Sequence, residues 1–278
     1  SEPYAKIIIH EDPGVAYINK TFIDALTSMN DPRIPLIMAV YPDTYEAKDV
    51  DPADPALSAP EKQKGLIGFF SMGPTSSYSI KKYYPEEYTD EVLSNTASPN
   101  YYKKTHSQPN RSTYGDPTGP TFVCTAAQTN LLLAEAAYRG WINGSAESFY
   151  NAGIRCAMEQ FSQYPSANAK TLYNTYLTSS AVNDYLTANA YNSSKALEQI
   201  NTQYWITCFF DEYETYANWR RSGYPELKER GSAHDNWSDL GQYGPDIVRR
   251  FPYPSSELQI NSTNYLEALG RMGLTNEN

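Results

Sequence analysis

The chain has 278 residues, with 22 Lys and Arg against 32 Asp and Glu and a formal net charge of −10. It is long enough to bury a sizeable core and carries the wrong charge for a nucleic-acid-binding module. Three cysteines (Cys124, Cys156 and Cys208) form neither a disulfide framework nor a zinc-site spacing, and no run of about 18 apolar residues reads as a membrane span.

A first helix is predicted from about Val15 to Met29. Asn30-Asp31-Pro32-Arg33 then opens a loop-rich region. The proline-dense, acidic run Asp49–Pro60 fits neither a helix interior nor a central strand. Short strands are expected at Ile34–Tyr41 and Leu66–Ser71. From Gly65 to Pro120 scattered Gly, Pro, Ser and Asn are interleaved with tyrosines, part of a total of 25 Tyr against 9 Phe and 4 Trp. A loop region this long is usually functional or disordered, and its aromatic content argues for order.

From Thr121 the pattern turns helical. Cys124, Ala127, Leu131, Ala134 and Tyr138 recur at helical spacing, and Gly140 with the Asn143-Gly144 turn ends that helix. Ser145 caps the next, with Glu147 in its first turn to complement the helix dipole. Ala146, Tyr150, Gly153 and Ala157 line its apolar face. The small residues of this hairpin match the close-packing positions of a tetratricopeptide unit, which needs partner helices to bury its face. A weaker helical stretch covers Thr171–Ala190. A long helix is predicted from Ser194 to Arg221, with Leu197, Ile200, Tyr204 and Cys208 beside a second stripe of Trp205, Phe209, Tyr213 and Tyr216. So broad a face calls for a sandwiched helix. Gly223 and Pro225 stop it, and a last short helix lies near Asn264–Met272.

No phosphate loop, nucleophile elbow or His-Glu-x-x-His motif is present, so no cofactor or metal is expected. The three histidines (His10, His106 and His234) are far apart in loop-like sequence, which suits exposed or capping roles. Asp43, Glu46, Asp49, Asp51 and Asp54 fit no calcium-loop spacing and read as a solvated acidic turn. Glu135, Asp211, Glu212 and Glu214 read as helix-surface acids, and the cysteines as buried small hydrophobes. Sugar binding needs flat aromatic faces beside Asn, Asp or Arg. That composition occurs at Tyr78, Tyr83, Tyr84, Asn100, Tyr101, Tyr102, Arg111 and Tyr114, the glycan-binding candidates.

Three stretches then share one resemblance. They are Leu131–Trp141 followed by Tyr150–Ile154, Ile200–Trp205 leading to Trp219–Pro225, and Arg249–Pro254 with Glu257 and Asn261. With Asn30–Arg33, and in this order, they resemble the C-terminal half of the SusD/RagB-like outer-membrane proteins of Bacteroidetes, over about residues 20–273. The resemblance implies a mainly α fold, with tetratricopeptide-like hairpins carrying long loops and a few short strands. It implies one SusD-like domain over 1–278, incomplete at its N-terminus, with 1–120 loop-rich and ligand-facing and 121–278 helical. The implied function is binding, with no bond chemistry: a lipid-anchored cell-surface protein capturing oligosaccharides, or sometimes peptides, for a SusC-like TonB-dependent transporter. Trp219-Arg220-Arg221 with Tyr224 and Pro225 is expected to be a structural helix end. The residues alone also admit an α-helical glycoside hydrolase, which would need a carboxylate pair across a cleft, or a tetratricopeptide-type peptide scaffold.

Overall fold

The computed structural model describes residues 17–41, 57–65, 106–227 and 253–273. The chain divides into two compact units, Ser1–Pro225 and Glu226–Asn278, and both are helical where described. Among the described residues no helix is long and apolar enough to cross a membrane.

The larger unit begins with α1 (Lys20–Ser28), capped by the Asn19 side chain, which accepts from Thr21 N, and burying Phe22, Ile23 and Leu26. Where a strand was expected from Ile34, the chain instead forms a helical turn, α2 (Ile34–Ile37), with Pro35 in its first turn. Pro suits that position because its missing N–H would be unpaired there anyway. Only Met38–Ala39 extends, as β1, and pairs antiparallel with β2 (Gln108–Pro109) in the register Met38 to Pro109 and Ala39 to Gln108. The other expected strand, Leu66–Ser71, lies outside the described residues, as do the acids between Asp43 and Asp54, His10 and His234.

The hairpin is α3 (Ala126–Tyr138) with α4 (Ala146–Glu159). A capping box starts α3: Thr125 Oγ1 accepts from Gln128 N at 3.1 Å while Gln128 Oε1 accepts from Thr125 N at 2.7 Å. Gly140 at φ 72° reverses the chain, and Trp141 N donates back to Ala136 O at 2.9 Å. Ser145 caps α4, as expected, accepting from Ser148 N at 3.2 Å. The helices cross at Gly153, where a Cβ would stand 2.6 Å from Leu131 Cγ. The small residue there is a condition of the crossing.

The weaker stretch resolves into α5 (Ala167–Tyr176) and α6 (Ser179–Ala188), capped by Ser166 and Thr178. The single long helix expected from Ser194 is two, α7 (Ala196–Thr207) and α8 (Glu212–Ser222). Phe210 adopts φ 72°, a left-handed conformation that no helix interior accommodates. Asp211 then caps α8, accepting from Glu214 N at 3.1 Å. The sandwiched face therefore ends with α7. Tyr213 is 89% exposed, while Ile200, Tyr204 and Cys208 are buried. Gly223 at φ 78° terminates α8, and Trp219 is buried against Tyr216. The second unit holds α9 (Ser255–Ile260) and α10 (Ser262–Arg271), with Tyr265 and Leu269 buried and Tyr253 edge-on to Tyr265 at 5.8 Å.

Four side chains depart from expectation. Cys124 is exposed and Cys156 half-buried, because Cys124 precedes α3 rather than lying on its inner face; Cys208 is buried. His106 is fully buried. Glu135 is not a surface acid. It is buried on α3, accepting from both Arg221 guanidinium nitrogens at 2.6 and 2.9 Å and from Arg139 Nε at 2.8 Å.

Candidate functional site

The segment from His106 to Thr113 is polar in sequence and buried in the fold. That combination is stable only when each polar group finds a partner. Ser107 N donates to Lys64 O and Asn110 N to Ile37 O, at 2.8 and 2.9 Å. Asn110 Nδ2 donates to Pro35 O at 2.8 Å, and Thr113 Oγ1 to Leu36 O at 2.6 Å. Arg111 N donates to the Tyr41 hydroxyl at 2.8 Å, and the Arg111 guanidinium lies 3.9 Å from the Tyr41 ring centre, a cation–π distance. Burial pushes the Tyr41 phenol up to about 12, against the bond and charge of Arg111. On the other side, Ser166 Oγ donates to Ser112 O at 2.9 Å and Asn168 Nδ2 to Ser112 Oγ at 3.3 Å. The segment is a strap between the 34–41 stretch and the start of α5.

Among the described residues, two concavities border this strap. The larger is an open groove of about 520 Å3, lined by Arg111, Ser112, Asp116, Pro117, Thr118 and residues 165–168. Asp116 Oδ1 is held in place by Thr118, accepting from its N at 2.8 Å and its hydroxyl at 2.7 Å. Its volume falls within the range of small-ligand sites, about 300–1,000 Å3. The planar polar groups of Asp116 and Asn168 in its lining are the types that bond a ring of hydroxyls, and Arg111 lines it while packed on Tyr41.

The smaller cavity, of about 80 Å3, is also lined by Asp116, with Tyr114, Phe122, Gln128, Gln160, Tyr164, Phe209 and Phe210 among its walls. Tyr114 stacks on Phe210 at 5.2 Å and stands edge-on to Phe209 at 5.0 Å and Tyr164 at 6.0 Å. The left-handed turn at Phe210 is what brings that ring onto Tyr114. Burial raises the Tyr114 phenol well above its ordinary range, against the pull of the Arg33 charge, so it stays neutral. Beneath it, Gln128 Nε2 donates to Cys208 Sγ at 3.3 Å, and burial pushes that thiol up to about 12.

Of the glycan-binding candidates, Arg111 lines the groove and Tyr114 the smaller cavity, three residues apart in sequence but serving different walls. Tyr78, Tyr83, Tyr84, Asn100, Tyr101 and Tyr102 lie outside the described residues. Sequence reasoning missed Asp116, Asn168, Gln160 and the Phe209-Phe210 pair. For the pair a signal existed: Asp211 followed three residues later by Glu214 has the pattern of a helix start. Among the described residues no group of three or more His, Cys, Asp or Glu could hold a metal ion.

Comparison with known proteins follows the same lines. A family model described as starch-binding and associating with the outer membrane, SusD-like, matches residues 72–254. Among solved structures the chain resembles a chitin-binding protein, at 28% identity and a TM-score of 0.58, over 94% of this chain and 48% of that one. A SusD homologue from Bacteroides fragilis aligns at 24% identity and a TM-score of 0.58, over 94% and 49% of the two chains. A SusD-like protein of Bacteroidetes aligns at 24% and 0.64, over 97% and 54%. The chain thus spans about half the length of these structures. None of the curated proteins matches it.

Proposed function

Because the chain belongs to the SusD-like family, we propose that it is part of a cell-surface glycan-binding protein of the outer membrane, one that captures oligosaccharides and passes them to a SusC-like TonB-dependent transporter. A lipid anchor on the full-length protein would keep it at the membrane. The family match over residues 72–254 carries the reading, and likeness to a chitin-binding protein at 28% identity supports its glycan component. The mainly α fold, hairpins bearing a loop-built groove, agrees with it.

In this reading the protein binds without cleaving. The groove supplies hydrogen bonds from Asp116 and Asn168, with Arg111 packed on Tyr41 as part of its wall, and tyrosines such as Tyr101 and Tyr102 supply stacking faces for sugar rings. A rigid rim of this kind binds without an ordering cost for its own loop. A glycan array on the full-length protein, followed by calorimetry on the best ligand, tests it. Asn168→Ala and Tyr101→Ala/Tyr102→Ala should each weaken binding by roughly fivefold or more, the loss of about one hydrogen bond or one stacked ring, with unchanged melting temperature. An array on which no oligosaccharide binds would overturn the function. Release of shortened sugars on incubation with polysaccharide would replace it with a hydrolase.

A further inference from the structure

The 80 Å3 cavity beside Asp116 is too small for a sugar ring and too well furnished to be a packing flaw. A cavity of about 150 Å3 accommodates benzene, and a water takes about 30 Å3 of liquid. The space here therefore suits a substituent of about three or four heavy atoms. Tyr114, Phe122, Tyr164, Phe209 and Phe210 give it an aromatic wall that suits an apolar group such as a methyl, and Asp116, Asp211, Gln128, Gln160 and four threonines share the lining. One polar feature stands out among them. Gln160 lines the cavity, and its side-chain Oε1 is buried without a hydrogen-bond partner among the described residues. A buried acceptor left unpaired is costly, so the cavity calls for a ligand that brings an N–H or O–H donor together with an apolar end.

We propose that this cavity receives the acetamido group of an N-acetylated sugar, its methyl against the aromatic rings and its N–H donating to Gln160 Oε1. The proposal rests on the glycan-binding reading above and narrows it to sugars bearing an N-acetyl substituent. A plain hydroxyl at the same carbon would supply a donor but leave the aromatic walls unfilled. A larger anionic substituent would be disfavoured by the volume and by the carboxylates of Asp116 and Asp211 in the lining.

Calorimetry on the full-length protein with chitotetraose and cellotetraose tests this directly, because the two share linkage and ring stereochemistry and differ only in acetamido against hydroxyl at C2. Chitotetraose should bind at least about tenfold tighter, the factor worth about 1.4 kcal/mol. Gln160→Met, similar in size but without the acceptor, should reduce that preference to below about threefold. Thr121→Leu, at an exposed position on the cavity wall, should reduce it likewise by filling the cavity from its rim, and it leaves the core untouched if Gln160→Met does not fold. Equal affinity for the two sugars, or a preference that survives both substitutions, would overturn the assignment. Binding on the array confined to oligosaccharides without an N-acetyl group would overturn it while leaving glycan capture intact. Absence of all oligosaccharide binding would overturn both.

Discussion

Replacing Glu135 by Gln measures what holds the α3–α4 hairpin to α7 and α8. The Glu135 side chain is 4% exposed, and besides its two arginines it accepts from Asn201 Nδ2 at 3.3 Å on α7. Burial alone would raise its pKa. The hydrogen bonds of Arg221 and Arg139 outweigh burial and bring it from the ordinary 4.5 down to about 2. A carboxyl held below its unfolded pKa stabilises the fold fully above that unfolded value and loses its contribution as pH falls through the folded one. At about 1.4 kcal/mol per pH unit, the displacement sets a ceiling of about 3–4 kcal/mol. The Arg221 and Arg139 side chains are 44% and 35% exposed, so water screens both partners and the expected contribution is roughly 1–2 kcal/mol.

The assay is urea unfolding of the protein and of Glu135→Gln at about pH 7, 5, 3.5 and 2.5. Other carboxylates titrate in both proteins and cancel in the difference. The parent should be more stable by roughly 1–2 kcal/mol at pH 7 and pH 5, and the gap should shrink steadily below about pH 4.5 to near zero around pH 2. A gap of the same size at pH 7 and pH 2.5 would mean the carboxylate contributes through shape and neutral hydrogen bonds, and the charge reasoning would fail. No gap at pH 7 would refute it more simply.

Arg33→Met should destabilise by about 3–5 kcal/mol, because it leaves the buried Asp31 carboxylate without its cation; adding Asp31→Asn should restore more than half of that in the same denaturation curves. Gly153→Ala should lower stability by roughly 1–3 kcal/mol through contact with Leu131, although alanine is the better helix former by about 1 kcal/mol, and a rise in melting temperature would contradict the close crossing. Asn110→Ala removes donors to Pro35 O and Ser58 Oγ and the acceptor for Ser112 N, so it should cost about 1–3 kcal/mol. Thiol labelling at about pH 8, mapped by mass spectrometry, should modify the exposed Cys124 at once and Cys156 slowly. Cys208, buried and pushed up to about 12, should react only in denaturant.

Legibility in the sequence followed the range of the forces involved. The α3–α4 hairpin is local: its caps, its period and the small residue at its crossing all fall within Thr125–Glu159, so the pattern alone defines it. The break between α7 and α8 was hidden because Tyr204, Cys208, Phe209 and Tyr213 keep helical spacing across a turn that Phe210 makes by going left-handed. Glu135 looked like a surface acid because its burial is decided by Arg221, 86 residues away. The buried Arg33 was equally opaque. It bonds Asp31 in the flagged Asn30–Arg33 run but also Gln203 Oε1 at 3.0 Å, 170 residues on. Among the candidate ligand residues, Arg111 and Tyr114 lie in the loop that composition proposed, whereas Asn168 and Gln160 come after the hairpin in sequence and carry no local mark.

The polar strap from His106 to Thr113 shows why loop composition misleads in this fold. Ser, Asn, Gln and Arg in succession read as solvent-facing, but here the strap takes the place that a longer strand would fill. Only two of its residues join β1; side chains and turns satisfy much of the rest, against the carbonyls of Pro35, Leu36 and Ile37 and the Tyr41 hydroxyl. A hydrogen-bonded loop of this kind costs more sequence information than a strand, since each donor needs its own acceptor, and it fixes the backbone just as firmly. The groove lined by Arg111 and Asp116 is therefore built on a segment anchored to the core, whereas α3 and α4 give that core its rigidity. Tyrosines in such a chain serve two ends. Tyr150 and Tyr204 bury their rings between helices and keep their hydroxyls paired, with Asn189 O and Glu214 Oε1, while the Tyr41 hydroxyl accepts from the strap at Arg111 N and Tyr114, just beyond the strap, packs its ring on Phe209 and Phe210.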